Sequence, residues 1–223
     1  MYAAPAKKAI LKDTTWLRIK DCTLVGDAGG QERLQGWAEA KGVLGELQVG
    51  FWPRRRLEYN LFVLTQCIEV AQQARSPLYV AFLDISKAYD CVDQQILWSI
   101  LQDLGLESND IALLRALYSG VTAQVEWDGH VTAPVSVSCA LRQGCPLSPV
   151  LFMLYVAGLT QRLESSGLRY ALQHHEEGQL VAWRFPALVY ADDFVVLAGS
   201  PGQLQQLLDM CGTEMTRLTE AEV

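Results

Sequence analysis

LVYADDFVVLA (residues 188–198) is the stretch on which the fold turns. Leu188 to Tyr190 and Phe194 to Ala198 are short apolar runs of the β-branched and aromatic kind that favours strands, and Ala191-Asp192-Asp193 between them leaves room only for a tight reversal. The stretch therefore reads as a β-hairpin with two carboxylates at its tip. A second apolar run, Leu78-Tyr79-Val80-Ala81-Phe82-Leu83, lies between Pro77 and Asp84 and reads as a strand buried on both faces. Asp84 then stands at a strand end, where its side chain can reach a cleft.

Acids placed at a strand end and at a hairpin tip repel one another if they converge, unless a cation neutralises them. Mg²⁺ prefers oxygen ligands and keeps waters and substrate phosphates in its shell, so two or three Asp residues on an open cleft suit it. Two such ions, roughly 3.5–4 Å apart, activate a hydroxyl and stabilise the leaving oxygen of an in-line phosphoryl transfer. The same residues also admit a plainer reading, with Asp192-Asp193 as an acidic turn and Asp84 as a helix cap.

The rest of the chain reads as helices and hairpins around these elements. Residues 58–73 predict a helix, with Leu61, Leu64, Ile68 and Ala71 at steps of three and four, and Ser76-Pro77 breaks it. Asp93 caps a helix with the stripe Ile96, Leu97, Ile100, Leu101 and Leu104, stopped by Gly105. Ser108 is expected to cap the next, with Ile111, Leu114, Leu117 and Tyr118 inward and Gly120 as its stop. Residues 121–127 and 131–137 alternate around Asp128-Gly129, a strong signal for a tight hairpin. Ser148-Pro149 reads as a cap and first-position proline opening an apolar helix to about Arg162, so residues 141–146 form a loop feeding its N-terminus. Ser200-Pro201 repeats that signature before a helix with Leu204, Leu207, Leu208 and Cys211 inward. Residues 1–30 carry no periodic signal, include a candidate flexible segment at 26–30, and are expected to be a tail or cap.

Composition narrows the class. With 223 residues, half of them hydrophobic, the chain can bury a core as one large domain or two intimate subdomains. No apolar run approaches the roughly 20 residues of a membrane span, and no secretion signal is present, so a soluble intracellular protein is expected. Cys22, Cys67, Cys91, Cys139, Cys145 and Cys211 are scattered without the spacing of a zinc site and read as reduced, mostly buried residues. His174 and His175, beside Glu176, Glu177 and Gly178, read as a solvated loop. The net charge of −7 opposes nucleic-acid binding at first sight, because such binding rests on neutralising phosphates. Net charge does not fix local charge, however, and Arg54-Arg55-Arg56 with Arg75, Lys87, Arg115 and Arg142 could line one groove.

Three longer motifs add to this reading. AFLDISKAYD (81–90), LRQGCPLSPVLF (141–152) and YADD (190–193) resemble, in order, the three central motifs of reverse transcriptases, most closely those of the LINE-type, non-LTR retrotransposon branch. ERLQGWAEAKGVLGELQVGF (32–51) resembles the lead-in to that family's fingers, and the likeness runs from about residue 31 to 208. The resemblance implies an α+β, right-hand polymerase with an antiparallel palm sheet packed on helices. By it, residues 1–30 are an N-terminal extension, 31–75 and 93–137 are fingers segments, and 76–92 and 138–223 are palm segments ending before a thumb. It departs from the family's usual wording at Trp52, Arg54 and Tyr59, where arginine, glycine and aspartate are usual, and the next palm motif would fall about where this sequence stops.

The implied activity is RNA-directed DNA synthesis, with an RNA template, a DNA primer and deoxynucleoside triphosphates as partners and the nucleus as its place. The resemblance makes Asp84, Asp192 and Asp193 catalytic and the ligands of two Mg²⁺ ions, with Mn²⁺ as an alternative and a backbone carbonyl from Ile85. Tyr89, five residues after Asp84, takes the steric-gate position, where a ring under the sugar excludes a 2′-hydroxyl. Gln143 and Gly144 lie by the nascent base pair, glycine allowing close backbone approach. Arg142, Lys87 and Arg55 are phosphate or template contacts. Two other readings stay open: a catalytically silent remnant of an element, and a nucleic-acid-binding module using the same groove.

Overall fold

The computed structural model describes residues 9–10, 16–19, 28–52, 55–128, 130–137, 139–176 and 179–219. Cys22, Gly26, Arg54, Gly129, Glu177 and Gly178, on which some of the sequence readings rest, lie outside them. In chain order the elements are β1 (Ala9–Ile10), β2 (Trp16–Ile19), α1 (Ala28–Lys41), α2 (Leu57–Ala74), β3 (Tyr79–Asp84), α3 (Gln94–Asp103), α4 (Ser108–Tyr118), β4 (Thr122–Trp127), β5 (His130–Val131), β6 (Val135–Ser136), α5 (Leu147–Tyr155), α6 (Ala157–Ser165), β7 (Tyr170–Glu176), β8 (Gln179–Phe185), β9 (Ala187–Tyr190), β10 (Asp193–Ala198) and α7 (Pro201–Thr219). No described helix is long and apolar enough to cross a membrane.

The sheet that carries the acids has the order β3-β10-β9, all antiparallel. Side chains on β10 alternate between its faces. Phe194, Val196 and Ala198 enter one core with Leu159 and Leu163 of α6 and Leu207 and Cys211 of α7. Leu197, with Val195 and Val80, enters another core on the opposite face, with Cys67, Val63 and Leu64 of α2 and Tyr170 and Leu172 of β7. Burying a side chain such as Phe194, which is 2% exposed, stabilises by roughly 1.5–3 kcal/mol and pins the hairpin to α6 and α7. The third and largest core joins α1, α3, α4 and α5. Every position of α5 except Pro149 is buried, as expected of a helix apolar on all sides.

Several expectations hold in detail, and others are corrected. Asp93 caps α3, its carboxylate accepting from the N–H groups of Gln95 (2.7 Å) and Ile96 (3.0 Å), and Gly105 ends the helix region at φ +84°. Asp128, at φ +47°, turns β4 into β5, with Trp127 opposite His130. Ser200 Oγ accepts from Gln203 N at 3.3 Å, the expected cap on α7.

Ser108 is no cap: it is the first residue of α4, preceded by an N-cap Glu107 without a side-chain bond. Ser148 is no cap either, because α5 begins at Leu147 and the Ser148 hydroxyl is buried, donating to Arg142 O (2.7 Å) and sharing a hydrogen bond with Tyr118 OH. The single helix expected to Arg162 is two, broken at Val156 (φ −91°, ψ 2°). Residues 131–137 are interrupted between β5 and β6, where Pro134 cannot donate to a ladder. His174 and His175 lie in β7, paired with Val181 and Leu180, not in a loop. Residues 1–30 contribute β1 and β2, which add to β4, and α1 starts at Ala28, so the flexible segment expected at 26–30 is helical where described. Finally, β3 is not buried on both faces. It is an edge strand, and Phe82 is 72% exposed.

Candidate active site

The register of the sheet brings the acids together. Asp84, the last residue of β3, is directly opposite Asp193, the first of β10. The next pair outward is closed by a hydrogen bond from Ile85 N to Asp192 O at 3.3 Å. Hydrogen-bonded and non-hydrogen-bonded pairs alternate in an antiparallel ladder, so Asp84 and Asp193 form a non-hydrogen-bonded pair, the kind whose side chains stand closest. Both lie on the face that carries Val80, Phe82, Val195 and Leu197. Toward Val80 that face is covered by α2; toward the acids it opens, as the exposure of Phe82 shows.

Asp192 sits in the two-residue turn between Tyr190 and Asp193, after Ala191 in the left-handed conformation (φ +55°). Partial burial, then the negative charges of Asp192 and Asp84, push the Asp193 carboxyl above the ordinary range. The three acids are thus electrostatic neighbours. Among the described residues, however, no three His, Cys, Asp or Glu side chains converge tightly enough, as they stand, to hold a metal ion. The set nonetheless fits a hard divalent cation in kind: its donors are oxygens, its like charges face each other across a strand pair, and one side is open.

Beside the acids, Tyr89, Gln143, Gly144, Cys145, Pro146, Ser148 and Pro149 line one cavity of about 350 Å³. Tyr89 stacks on Phe152 with ring centroids 5.4 Å apart, and its carbonyl accepts from Leu141 N at 2.7 Å, which ties the β3–α3 turn to the loop before α5. Burial, and then the charge of Asp192, raise the Tyr89 phenol, so that ring lies within electrostatic reach of the hairpin tip. Gln143 donates to Asp90 Oδ1 at 3.4 Å. Gly144 is at φ +88°, a conformation that favours glycine, and a Cβ there would meet no protein atom within 4 Å. Within the free chain, its need is conformational rather than close packing.

The basic residues are arranged differently from one another. Arg142 is turned inward: its Nη2 donates to Leu117 O, and its guanidinium lies 5.2 Å from the Tyr118 ring centroid. Arg55 donates through Nη1 to the carbonyls of Glu46 (2.9 Å) and Gln48 (3.1 Å) and lies over Trp52. Lys87 is exposed at φ +54°, and its carbonyl closes a turn with Asp90 N and Cys91 N. Sequence reasoning did not single out Gln48, a polar residue in the run Leu47-Gln48-Val49-Gly50-Phe51. It is 2% exposed and bonded to Ala191 of the acidic turn. The only signal for it was that one amide in an apolar stretch.

An edge strand ending in an acid, paired with an acidic hairpin and backed by two helices, defines a polymerase-type fold, and solved structures agree. Telomerase from Candida albicans in complex with a TWJ fragment of telomeric RNA matches with TM-score 0.55 at 13% identity, over 84% of this chain and 32% of that one. Apo telomerase from Candida tropicalis truncated from its C-terminal domain matches with TM-score 0.52 at 11% identity, over 85% and 37%. A family profile described as reverse transcriptase (RNA-dependent DNA polymerase) matches residues 31–219, most of the chain, and the chain belongs to that family.

Its curated relatives bear out the resemblance to the non-LTR retrotransposon branch. The Pol polyprotein from the type-2 retrotransposable element R2DM of Drosophila melanogaster is 28% identical over 163 residues, 73% of this chain and 14% of the relative. That from the type-1 element R2 of Bradysia coprophila is 26% identical over 173 residues, 78% and 19%. The Transposon TX1 149 kDa protein of Xenopus laevis is 27% identical over 158 residues, 71% and 11%. The chain therefore spans less than a fifth of the length of these relatives.

Proposed function

We propose that this chain carries the nucleotidyl-transfer centre of an RNA-directed DNA polymerase, with Asp84, Asp192 and Asp193 as its catalytic acids. The observation that carries the proposal is the register pairing of Asp84 with Asp193, next to the turn that holds Asp192. In this reading β3, β9 and β10 with α6 and α7 belong to the palm (residues 76–92 and 138–223), and residues 31–75 and 93–137 are the fingers. Two Mg²⁺ ions, or Mn²⁺ in their place, would be held by the three carboxylates and the Ile85 carbonyl. When bound, such ions lower the pKa of a primer hydroxyl and neutralise charge on the phosphates.

The chain's own residues position the reactants. Tyr89, held flat against Phe152, forms the floor of the cavity in which the incoming sugar sits, and its ring excludes a 2′-hydroxyl. Gln143 and Gly144 form the wall facing the base pair. Lys87, exposed on the same turn as Tyr89, contacts phosphate. Arg142 and Arg55 hold the loops in shape, the first from beneath the 141–146 loop and the second across residues 46–52. The primer 3′ oxygen forms a bond to the α-phosphorus of a deoxynucleoside triphosphate. The bond from that phosphorus to the β-phosphate oxygen breaks, pyrophosphate leaves, and the hydroxyl proton passes to solvent. The template is RNA, the primer DNA, and the place of action the nucleus.

Primer extension on a heteropolymeric RNA template tests this reading. Extension by the wild type in Mg²⁺, lost in Asp192→Ala and Asp84→Asn, is the expected result, with template affinity falling steeply as salt rises. Template binding without any extension favours a binding module. Neither activity favours an inactive remnant.

A further inference from the structure

Ala191 adopts φ +55° although it is not glycine, and it is the residue immediately before Asp192. Left-handed non-glycine residues persist only where their surroundings hold them. The surroundings here come from the other end of the chain. Gln48 Oε1 accepts from Ala191 N at 2.8 Å, and Gln48 Nε2 donates to Ala191 O at 3.2 Å, so one side-chain amide closes on both polar groups of one backbone residue 143 positions away. The same Oε1 accepts from Gly50 N at 2.9 Å.

The 46–52 segment that presents Gln48 is itself tied down. Val49 N donates to Val189 O at 3.0 Å along the outer edge of β9, where Asn60 Nδ2 also donates at 3.1 Å. Glu164 Oε1 accepts from the N–H groups of Glu46 (2.9 Å) and Leu47 (3.1 Å). Gly50 lies so close to the turn that a Cβ on it would stand 2.3 Å from Ala191 N, a backbone atom that cannot swing aside. The ring of Phe51 then meets that of Tyr190 at 6.3 Å.

We infer that Gln48 is a positioning residue for Asp192: by gripping Ala191 from outside the hairpin it sets the turn that aims the Asp192 carboxylate toward Asp84. Glutamine suits the task chemically, because its planar amide carries an acceptor and a donor side by side and so satisfies both the N–H and the C=O of the same residue. The inference rests on the reading of Asp192 as a metal ligand, and its test separates the two.

In the test, the metal-free chain is followed by amide hydrogen exchange, and the same chain is titrated with Mn²⁺ by electron paramagnetic resonance. In the wild type the Ala191 amide, though at a hairpin tip, is protected from exchange. Gln48→Met, equal in length and apolar, removes that protection and raises the Mn²⁺ midpoint about tenfold. Gln94→Met, which deletes another buried amide bonded to a backbone carbonyl (Ala140 O, 3.0 Å), serves as the control and leaves both unchanged. An unprotected Ala191 amide in the wild type overturns the clamp even if Gln48→Met does not fold. Loss of Mn²⁺ binding in Asp192→Asn but an unshifted midpoint in Gln48→Met overturns the positioning role alone. Mn²⁺ binding indifferent to both substitutions overturns the metal reading, and the inference with it.

Discussion

Replacing Glu214 by Ala removes the acid that joins α6 to α7 behind the hairpin carrying Asp192 and Asp193. Glu214 is 2% exposed and accepts from Arg162 Nη1 at 2.7 Å, from Arg217 Nε at 2.9 Å and from Arg217 Nη2 at 2.7 Å. A hydrogen bond to a charged group contributes about 1.5–3 kcal/mol. The two arginine side chains are 53% and 57% exposed, so they regain water when their partner is lost. The net cost is then that of one such bond rather than three, about 1.5–3 kcal/mol. In a domain of this size each kcal/mol shifts Tm by roughly 2–4 °C, giving a fall of about 3–12 °C.

The pH dependence has a definite sign. Burial by itself raises the Glu214 carboxyl, but the hydrogen bonds and charges of Arg162 and Arg217 outweigh it and hold the group below its ordinary value. A lowered folded value means stability that is present above the unfolded value, about 4.3, and lost as pH falls below it. Thermal unfolding of the two proteins from pH 7 to 3 should therefore show the largest gap near neutrality and convergence in acid. A gap under 2 °C at pH 7, or one that widens toward acid, refutes the reasoning.

Two further outcomes follow from the site. Like charges opposed across a strand pair destabilise by roughly 0.5 kcal/mol, so Asp193→Asn in chelator should raise Tm by about 1–2 °C; a lower Tm in calorimetry contradicts the repulsion. Tyr89→Ala should relax selection for deoxynucleotides over ribonucleotides by roughly 10- to 200-fold in kcat/KM, and an unchanged ratio in primer extension removes Tyr89 from the gate.

The features legible in the sequence were those decided locally. Asp93 caps α3 through bonds two and three residues away, and a reversal at residues 190–193 follows from two strand-forming runs set so few residues apart, although the conformation of Ala191 within it depends on Gln48. Features decided by distant partners were misread or missed. Ser148-Pro149 has the wording of a helix start, but Tyr118 and the Arg142 carbonyl take the hydroxyl into the interior. The apolar run before Asp84 matches a central strand equally well, and only the sheet order shows it to be an edge with Phe82 in the open. Arg142 and Arg55 were read as phosphate or template contacts, and the carbonyls that bind them within the chain cannot be paired with them by pattern. Gln48 was hidden for the same reason, its partner being 143 residues away.

The most direct test is a crystal structure of the chain grown with Mn²⁺ and located by anomalous scattering. The account predicts density between the carboxylates of Asp84 and Asp192, with Asp193 alongside, and the turn at Ala191 unchanged. Saturating Mn²⁺ bound elsewhere, with the Asp84 and Asp192 carboxylates still apart and sharing no ion, contradicts it.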